Sequence, residues 1–129
     1  MLEFIHENFT RNISLSDIAD VAGISEREAL RCFKRTIGES PVQYLVKHRL
    51  MQSAYMLLTQ PDISVSEVAA NCGFDSPAYY AKRFKELYRC APPGLQETYS
   101  QPGHSLNILR FWFTIIRKYP LLFMLFPIF

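Results

Sequence analysis

A segment of this chain occurs twice, and the two copies lie 50 residues apart. Residues 13–23 have the sequence ISLSDIADVAG, and residues 63–73 have the sequence ISVSEVAANCG. Each copy continues to a Phe-Lys pair, Phe33-Lys34 in the first and Phe84-Lys85 in the second, so the second copy is longer by one residue. Self-similarity of this kind indicates a duplicated structural unit. A fold for this chain must therefore contain the same unit twice.

Both copies contain the start and stop signals of two short helices. A serine three residues before an acidic residue predicts a capping box, which satisfies backbone N–H groups at a helix start. A glycine then ends the first helix, because glycine adopts the left-handed conformation without a Cβ penalty. A second serine begins the second helix. These signals are Ser14 with Asp17, Gly23 and Ser25 in the first copy, and Ser64 with Glu67, Gly73 and Ser76 in the second. Each copy predicts a helix-turn-helix unit.

The region between the copies predicts one long helix over about 41–58. Ser40-Pro41 begins it with Gln43 as the capping partner, and Pro61 forces its end. Its apolar residues cover much of the circumference, as expected of a helix that packs on both sides. They are Val42, Tyr44, Leu45, Leu50, Ala54, Leu57 and Leu58. Such a helix is roughly 27 Å long, enough to hold two units about one turn of DNA apart.

The positions of the charged residues are more informative than the net charge of the chain. The whole chain has a formal net charge of +2, but residues 1–100 contain 11 Lys and Arg against 12 Asp and Glu, a net charge of −1. The total therefore gives no argument for a nucleic-acid partner. The three cysteines are widely spaced and the first residues lack the pattern of a signal peptide, which predicts a reduced, cytoplasmic chain.

The second helix of each copy carries basic residues on its outward side. In the first copy these are Arg27, Arg31, Lys34 and Arg35, and the buried side is predicted to consist of Ala29, Cys32 and Phe33. In the second copy the outward residues are Ala78, Tyr79 and Lys82 with Arg83, Lys85 and Arg89 nearby, and Tyr80 and Phe84 point inward. One basic helix is usually only a solvated surface. Two in matched repeats favour duplex DNA as the partner, because the guanidinium fork matches the acceptors of guanine.

Residues from about 5 to 96 resemble the DNA-binding domain of the AraC/XylS family of bacterial transcription activators. In the first half the resemblance rests on Leu15-Ser16-Asp17-Ile18-Ala19, Gly23, Phe33-Lys34, Pro41, Tyr44-Leu45 and Arg49-Leu50. In the second half it rests on residues 63–69, Cys72-Gly73-Phe74, Tyr79-Tyr80, Lys82, Phe84-Lys85 and Pro92. It implies an all-α fold of about seven helices. Two homeodomain-like helix-turn-helix subdomains, at about 1–39 and 60–100, would be joined by the 41–58 helix within a domain over 1–100.

The resemblance also implies a partner and a set of contacts. Family members insert both recognition helices into successive major-groove segments of promoter DNA and usually recruit RNA polymerase. The base-contacting positions would be Arg27, Leu30, Arg31, Ala78, Tyr79 and Lys82. We expect phosphate contacts from Ser14, Lys34, Arg35, Arg49, Ser64, Arg83 and Lys85. Because the two recognition helices differ, the chain is expected to bind an asymmetric site as a monomer.

Three departures from the family pattern concern the second unit. Lys82 stands where arginine is common, and Arg89 replaces a frequent glycine after the recognition helix. The sequence at 92–96 lacks the usual aromatic-arginine ending, so the final helix is expected to be short or poorly packed. The second unit is therefore predicted to contribute more non-specific affinity than discrimination.

No enzymatic function or cofactor is predicted. His6, His48 and His104 are scattered along the sequence, which argues against a metal site, and His48 is expected beside Arg49 near phosphate or solvent. Nothing resembles a catalytic triad or a phosphate-binding loop. Leu2, Ile5 and Phe9 share one face of a predicted short first helix. Because Met1 stands just before this helix, the chain is either a small single-domain regulator or a fragment of a regulator with a sensing domain.

The apolar tail at 101–129 lies outside the resemblance. Its apolar stretches of 6 residues before Arg117 and 11 after Lys118 are short of the roughly 20 that a membrane-spanning helix needs. The tail is an interfacial helix, a flap over the domain, or not a selected element. Two alternatives for the whole chain stay open: a membrane-associated or protein-interaction module built on the helix-turn-helix shell, and an inactive truncated remnant.

Overall fold

The computed structural model describes residues 1–60, 62–99 and 117. Within these residues the chain forms seven helices and no strand, as the all-α prediction requires. The helices are α1 (Leu2–Asn8), α2 (Leu15–Val21), α3 (Glu26–Thr36), α4 (Pro41–Thr59), α5 (Val65–Asn71), α6 (Pro77–Tyr88) and α7 (Pro92–Tyr99). α2 with α3 and α5 with α6 are the two copies of the duplicated unit, and α4 lies between them in the chain.

Serine N-caps determine where five of these helices begin. Each of Ser14, Ser25, Ser40, Ser64 and Ser76 accepts a hydrogen bond on its side chain from the backbone N–H three residues later. The capping boxes predicted at Ser14 and Ser40 are complete in both directions. At Ser64, where a box with Glu67 was also predicted, the structure shows only the bond from Glu67 N to the serine side chain. A serine cap is typically worth about 1 kcal/mol relative to alanine, so these short helices depend on their first residues.

The buried side chains form two clusters that share α4. The first cluster contains Ile5, Ile18, Phe33, Tyr44, Leu45 and Met51. The second contains Val46, Leu50, Ala54, Leu57, Val68, Ala69, Cys72, Phe74, Tyr80, Phe84 and Leu95. Equivalent positions of the repeat, such as Phe33 and Phe84, therefore occupy equivalent places in different cores. The prediction that the long helix packs on both sides is confirmed.

Two side chains predicted to face a core are exposed. Val42 is 47% exposed, because it lies on the solvent side of the first turn of α4, whose other side buries Pro41 and Tyr44. Cys32 is exposed as well, since the buried stripe of α3 consists of Ala29 and Phe33. The apolar face of α3 is thus narrower than the sequence pattern suggested.

His48 is buried, contrary to the prediction that it lies near phosphate or solvent. Only 4% of it is exposed, and its ring stacks on that of His6 with a centroid separation of 4.3 Å. The Phe9 ring meets it edge-on, and His6 Nε2 lies 2.6 Å from the Tyr44 hydroxyl. Two of the scattered histidines are therefore neighbours, because α1 packs against α4. Within the residues described, no group of three or more His, Cys, Asp or Glu side chains could hold a metal ion.

α7 is short, with 8 residues. Pro92 is fully buried and Leu95 is 2% exposed, and the helix contacts both α4 and α6. The expectation of a short or poorly packed helix is therefore met by its length, and Pro92 and Leu95 are not poorly packed. The predictions made for the tail lie outside the described residues, apart from Arg117, which is helical and exposed. None of the helices described here combines the length and the apolar composition that a membrane-spanning segment requires.

Candidate nucleic-acid interface

α3 presents its basic side to solvent because its apolar side is held in the first cluster. Ala29 and Phe33 point inward, and Ser25 caps the helix by accepting from Glu28 N at 3.2 Å. All the predicted contact residues of this helix are exposed. They are Arg27, Leu30, Arg31, Lys34 and Arg35. The structure therefore brings these five side chains together on one helix face.

These side chains line an open groove of about 540 Å³ between α3 and the beginning of α4. Ser40 and Gln43, at the amino end of α4, form part of its lining and were not predicted as site residues. A signal for them existed in the sequence, since the connection from Thr36 to Pro41 is too short to carry α4 away from α3. The groove thus combines four cations with two polar side chains.

The electrostatics of α3 favour an anionic partner on this side. The helix carries four cations against Glu26 and Glu28, for a formal charge of +2. Both carboxylates lie in the first turn, near the positive end of the helix dipole, where they stabilise the helix. Lys34 and Arg35 lie in the last turn and complement its negative end. The charges that remain exposed along the groove are therefore positive.

α6 is positioned in the same way by the second cluster. Tyr80 and Phe84 are fully buried, which leaves Ala78, Tyr79 and Lys82 on the exposed side, as predicted. Tyr79 is 47% exposed, and its ring centroid lies 6.3 Å from that of Phe74. The exposed face of α6 therefore offers a methyl group, a phenol and one ammonium, where α3 offers two guanidinium groups and an isobutyl group.

The two other basic residues of α6 differ from each other. Lys85 is exposed. Arg83 is half-buried and its Nη1 donates to Glu86 Oε2 at 2.9 Å. Its Nε is buried and, among the described residues, has no hydrogen-bond partner. An incoming phosphate would have to compete with Glu86 for Arg83, so Lys85 is the more available cation.

The predicted phosphate contacts at the helix starts have internal partners. The Ser14 N–H and hydroxyl donate to Asp17 Oδ2 at 2.8 and 2.9 Å. These bonds hold the pKa of Asp17 below its usual range, so a fixed carboxylate stands at the start of α2. At the start of α5, Ser64 Oγ accepts from Glu67 N at 3.2 Å. Phosphate binding at Ser14 and Ser64 stays a prediction, and at Ser14 it opposes a resident negative charge.

Arg49, also predicted as a phosphate contact, directs its guanidinium into the protein. Nε donates to the carbonyl of Phe9 at 2.7 Å, and Nη2 donates to the carbonyl of Arg11 at 2.8 Å. Burial lowers its pKa, and the nearby Asp75 carboxylate opposes that shift, so the side chain stays charged. A phosphate at Arg49 would therefore have to compete with these two backbone carbonyls for the guanidinium.

Comparison with known proteins places this surface in context. A family profile described as a helix-turn-helix domain matches residues 18–98. The uncharacterized HTH-type transcriptional regulator YdeC of Bacillus subtilis is 34% identical over 92 residues, which cover 71% of this chain and 31% of that protein. The XylDLEGF operon transcriptional activator of Pseudomonas putida is 34% identical over 94 residues, covering 70% of this chain and 28% of the activator.

Solved structures of transcription regulators also superpose on this chain. An AraC-type transcriptional regulator from Chromobacterium violaceum superposes with a TM-score of 0.73 at 26% identity, covering 79% of this chain and 90% of that one. The DNA-binding domain of the global transcriptional factor AdpA, solved in complex with a target DNA, superposes with a TM-score of 0.72 at 30% identity. That match covers 76% of this chain and 87% of the AdpA domain. By contrast, this chain spans only 31% and 28% of the length of the two curated relatives.

Proposed function

This chain belongs to the AraC/XylS family of helix-turn-helix regulators, and from that premise we propose that it binds double-stranded promoter DNA sequence-specifically through α3 and α6. The exposed groove along α3, with two arginines and a leucine at its base-contacting positions, is the observation that carries the proposal. A guanidinium can donate two hydrogen bonds to the O6 and N7 acceptors of guanine, and an exposed leucine can contact a thymine methyl.

The two recognition helices would contribute differently to DNA binding. Arg27, Leu30 and Arg31 offer paired donors and an apolar contact, so α3 would discriminate among bases. Ala78, Tyr79 and Lys82 offer a methyl, a phenol and a point charge, so α6 would add affinity with less discrimination. Lys34, Arg35 and Lys85 would hold phosphates, with Arg83 weakened by its ion pair.

The cellular role proposed for this chain is inferred from its family. We propose a cytoplasmic transcription regulator that acts as an activator through RNA polymerase, and we propose no catalytic function. The curated relatives include the HTH-type transcriptional activator RhaS of Mannheimia succiniciproducens, 30% identical over 96 residues, which supports activation. Because one chain supplies two different recognition helices, binding would not require a symmetric dimer.

Selection from a pool of random duplexes with the full chain tests this proposal. We expect enrichment of a non-palindromic motif with two segments about one helical turn apart, centre to centre. Titration of that motif should give one chain per duplex. Absence of any enriched motif would overturn sequence-specific binding, and a palindrome bound by two chains would overturn the monomeric mode.

A further inference from the structure

The second helix-turn-helix unit touches the first subdomain (about 1–39) directly, beside the middle of α4. The contact is made by Gly73, in the turn between α5 and α6. A Cβ atom at this position would lie 2.7 Å from the carbonyl oxygen of Phe9 and 3.1 Å from that of Thr10. Real Cβ atoms essentially never come within 3.0 Å of such an oxygen. The second unit therefore packs its turn against the backbone that connects α1 to α2 in the first.

Arg49 joins the same contact from α4. Its Nε and Nη2 donate to the carbonyls of Phe9 and Arg11, and the same Nε lies 3.1 Å from the Cβ position of Gly73. Phe9 is the C-cap of α1, where the helix dipole is negative and a cation is favoured. One guanidinium thus ties the linker helix to the end of α1 and borders the turn of the second unit.

The repeat supplies its own comparison for Gly73. Gly23 occupies the equivalent turn in the first unit, and both glycines have a positive φ, 66° at Gly23 and 87° at Gly73. A Cβ atom at Gly23 would have nothing within 4 Å, whereas a Cβ atom at Gly73 would collide with the backbone carbonyls of Phe9 and Thr10. The positive φ favours glycine at both positions. Only at Gly73, of these two, does the close approach of another backbone segment also require the absence of a side chain.

We propose that Arg49 and Gly73 fix the orientation of α6 relative to α3, and that this contact sets the number of base pairs between the two segments of the DNA site. The proposal rests on the proposed DNA-binding function. Inserting one base pair moves the second segment by about 3.4 Å along the duplex and by about 35° around it. Two rigidly held recognition helices cannot follow such a shift, whereas loosely held ones can. Arg49 is therefore a positioning residue and not a phosphate contact.

A measurement without DNA tests the contact itself. Spin labels on Cys32, which is exposed on α3, and on a Lys85→Cys substitution on α6 report the distance between the recognition helices. Cys90 is replaced by serine, and Cys72 can stay because burial raises the pKa of its thiol to about 12 and makes it unreactive. We expect a narrow distance distribution for the parent and a broader one for Arg49→Ala and Gly73→Ala.

Gly23→Ala is the matched control, because it also places a side chain at a positive φ but without the collision. It should leave the distribution narrow, and Arg49→Lys, which keeps the charge but loses the fork, should broaden it partly. Each variant is compared at a temperature at which circular dichroism shows it to be folded. An Arg49→Ala distribution as narrow as that of the parent overturns the proposal. So does equal broadening by Gly23→Ala and Gly73→Ala.

A second experiment uses the selected DNA motif with the spacing changed by one base pair in either direction. The parent should lose roughly tenfold or more in affinity at each altered spacing, as for a mismatched contact. Arg49→Ala should bind all three spacings within about threefold, with an unchanged salt dependence. If Arg49 instead held a phosphate, its loss would weaken all spacings equally and reduce the slope of log K against log salt by about 0.9.

The two proposals fail in distinguishable ways. If the parent enriches no motif, the DNA-binding proposal fails, and the spin-label distances still decide whether the contact fixes the two units. If the parent enriches a motif and Arg49→Ala keeps its spacing preference, the positioning role fails alone.

Discussion

Arg89 adopts a backbone conformation that arginine rarely takes. It is the C-cap of α6, with φ 62° and ψ 15° in the left-handed region, and its N–H donates to the carbonyl of Lys85. Gly38, just after the end of the other recognition helix, also has a positive φ, of 87°. The family resemblance implied that Arg89 stands where glycine is frequent, and in the structure this residue has the left-handed conformation that favours glycine.

Arg89→Gly should therefore stabilise the protein. A non-glycine residue in the left-handed region costs roughly 1–2 kcal/mol, and part of the gain is offset by the greater freedom of glycine in the unfolded chain. We expect the free energy of unfolding in urea to rise by about 1 kcal/mol. Arg35→Gly, at an exposed right-handed position of α3, should instead lower it by about 1 kcal/mol. A lower stability for Arg89→Gly would mean that its side chain outweighs the strain.

Arg31 and Lys34 are both exposed cations on α3, but the proposed contacts predict different effects for them. Arg31→Ala should cost about 1–3 kcal/mol at one base position and relax the preference there, if the contact is bidentate. Arg31→Lys should not restore that preference, because an ammonium lacks the fork. Lys34→Ala should weaken binding evenly across sequences and flatten the salt dependence. Competition titrations with single-base variants of the site measure both; uniform weakening by Arg31→Ala would refute direct readout.

Among the elements, helix boundaries were predictable and long-range contacts were not. The long helix predicted over about 41–58 is observed as α4 (Pro41–Thr59), and the predicted start signals Ser25 and Ser76 are the N-caps of α3 and α6. Capping serines and turn glycines act on neighbours within a few residues, so the sequence displays them directly. His6 and Tyr44 are 38 positions apart, and Arg49 and Phe9 are 40 apart. No local pattern reports such pairs, and for this reason His48 was misplaced and the internal role of Arg49 was missed.

The packing of α1 on α4 creates a pH-dependent element. Burial and the neighbouring His6 lower the pKa of His48 to about 3, and burial also lowers the pKa of His6. Burial and the Glu39 charge raise the pKa of Tyr44 to about 12, so the phenol beside His6 stays protonated. The His48 imidazole is thus neutral in the folded protein around pH 6, and the pKa of His6 is shifted in the same direction. The unfolded chain, by contrast, begins to bind protons below about 6.5.

Stability should therefore fall as the pH drops below about 6.5, because protons bind preferentially to the unfolded chain. The stabilisation is fully present above the unfolded pKa, and His48 alone would remove about 1.4 kcal/mol per pH unit below it. Urea unfolding between pH 5 and 7 measures this slope above the range in which carboxylates titrate. His48→Phe, which keeps an aromatic ring in the stack, should flatten the slope. An unchanged slope in that variant would place the pH dependence elsewhere.

For the molecule as a whole, one helix belongs to both cores. α4 supplies Tyr44, Leu45 and Met51 to the first cluster and Val46, Leu50, Ala54 and Leu57 to the second. Neither cluster can lose α4 without exposing side chains of the other. The duplication visible in the sequence predicted two equivalent units, and the equivalent burial of Phe33 and Phe84 agrees with it. It could not predict the direct contact between the units, because Gly23 and Gly73 look identical in sequence and differ only in what surrounds them.

A shared helix and a direct contact should make the described part of the chain unfold as one cooperative body. Phe33→Leu should cost about 1–2 kcal/mol by leaving space in the first cluster. Under global unfolding, hydrogen exchange of the slowest amides in α5 and α6 should accelerate by the same factor as in α2 and α3. Phe84→Leu is the matched change in the second cluster and should produce the reciprocal effect. If each substitution accelerated exchange only in its own unit, the two cores would be independent, and α4 would act as a spacer between them instead of a common core element.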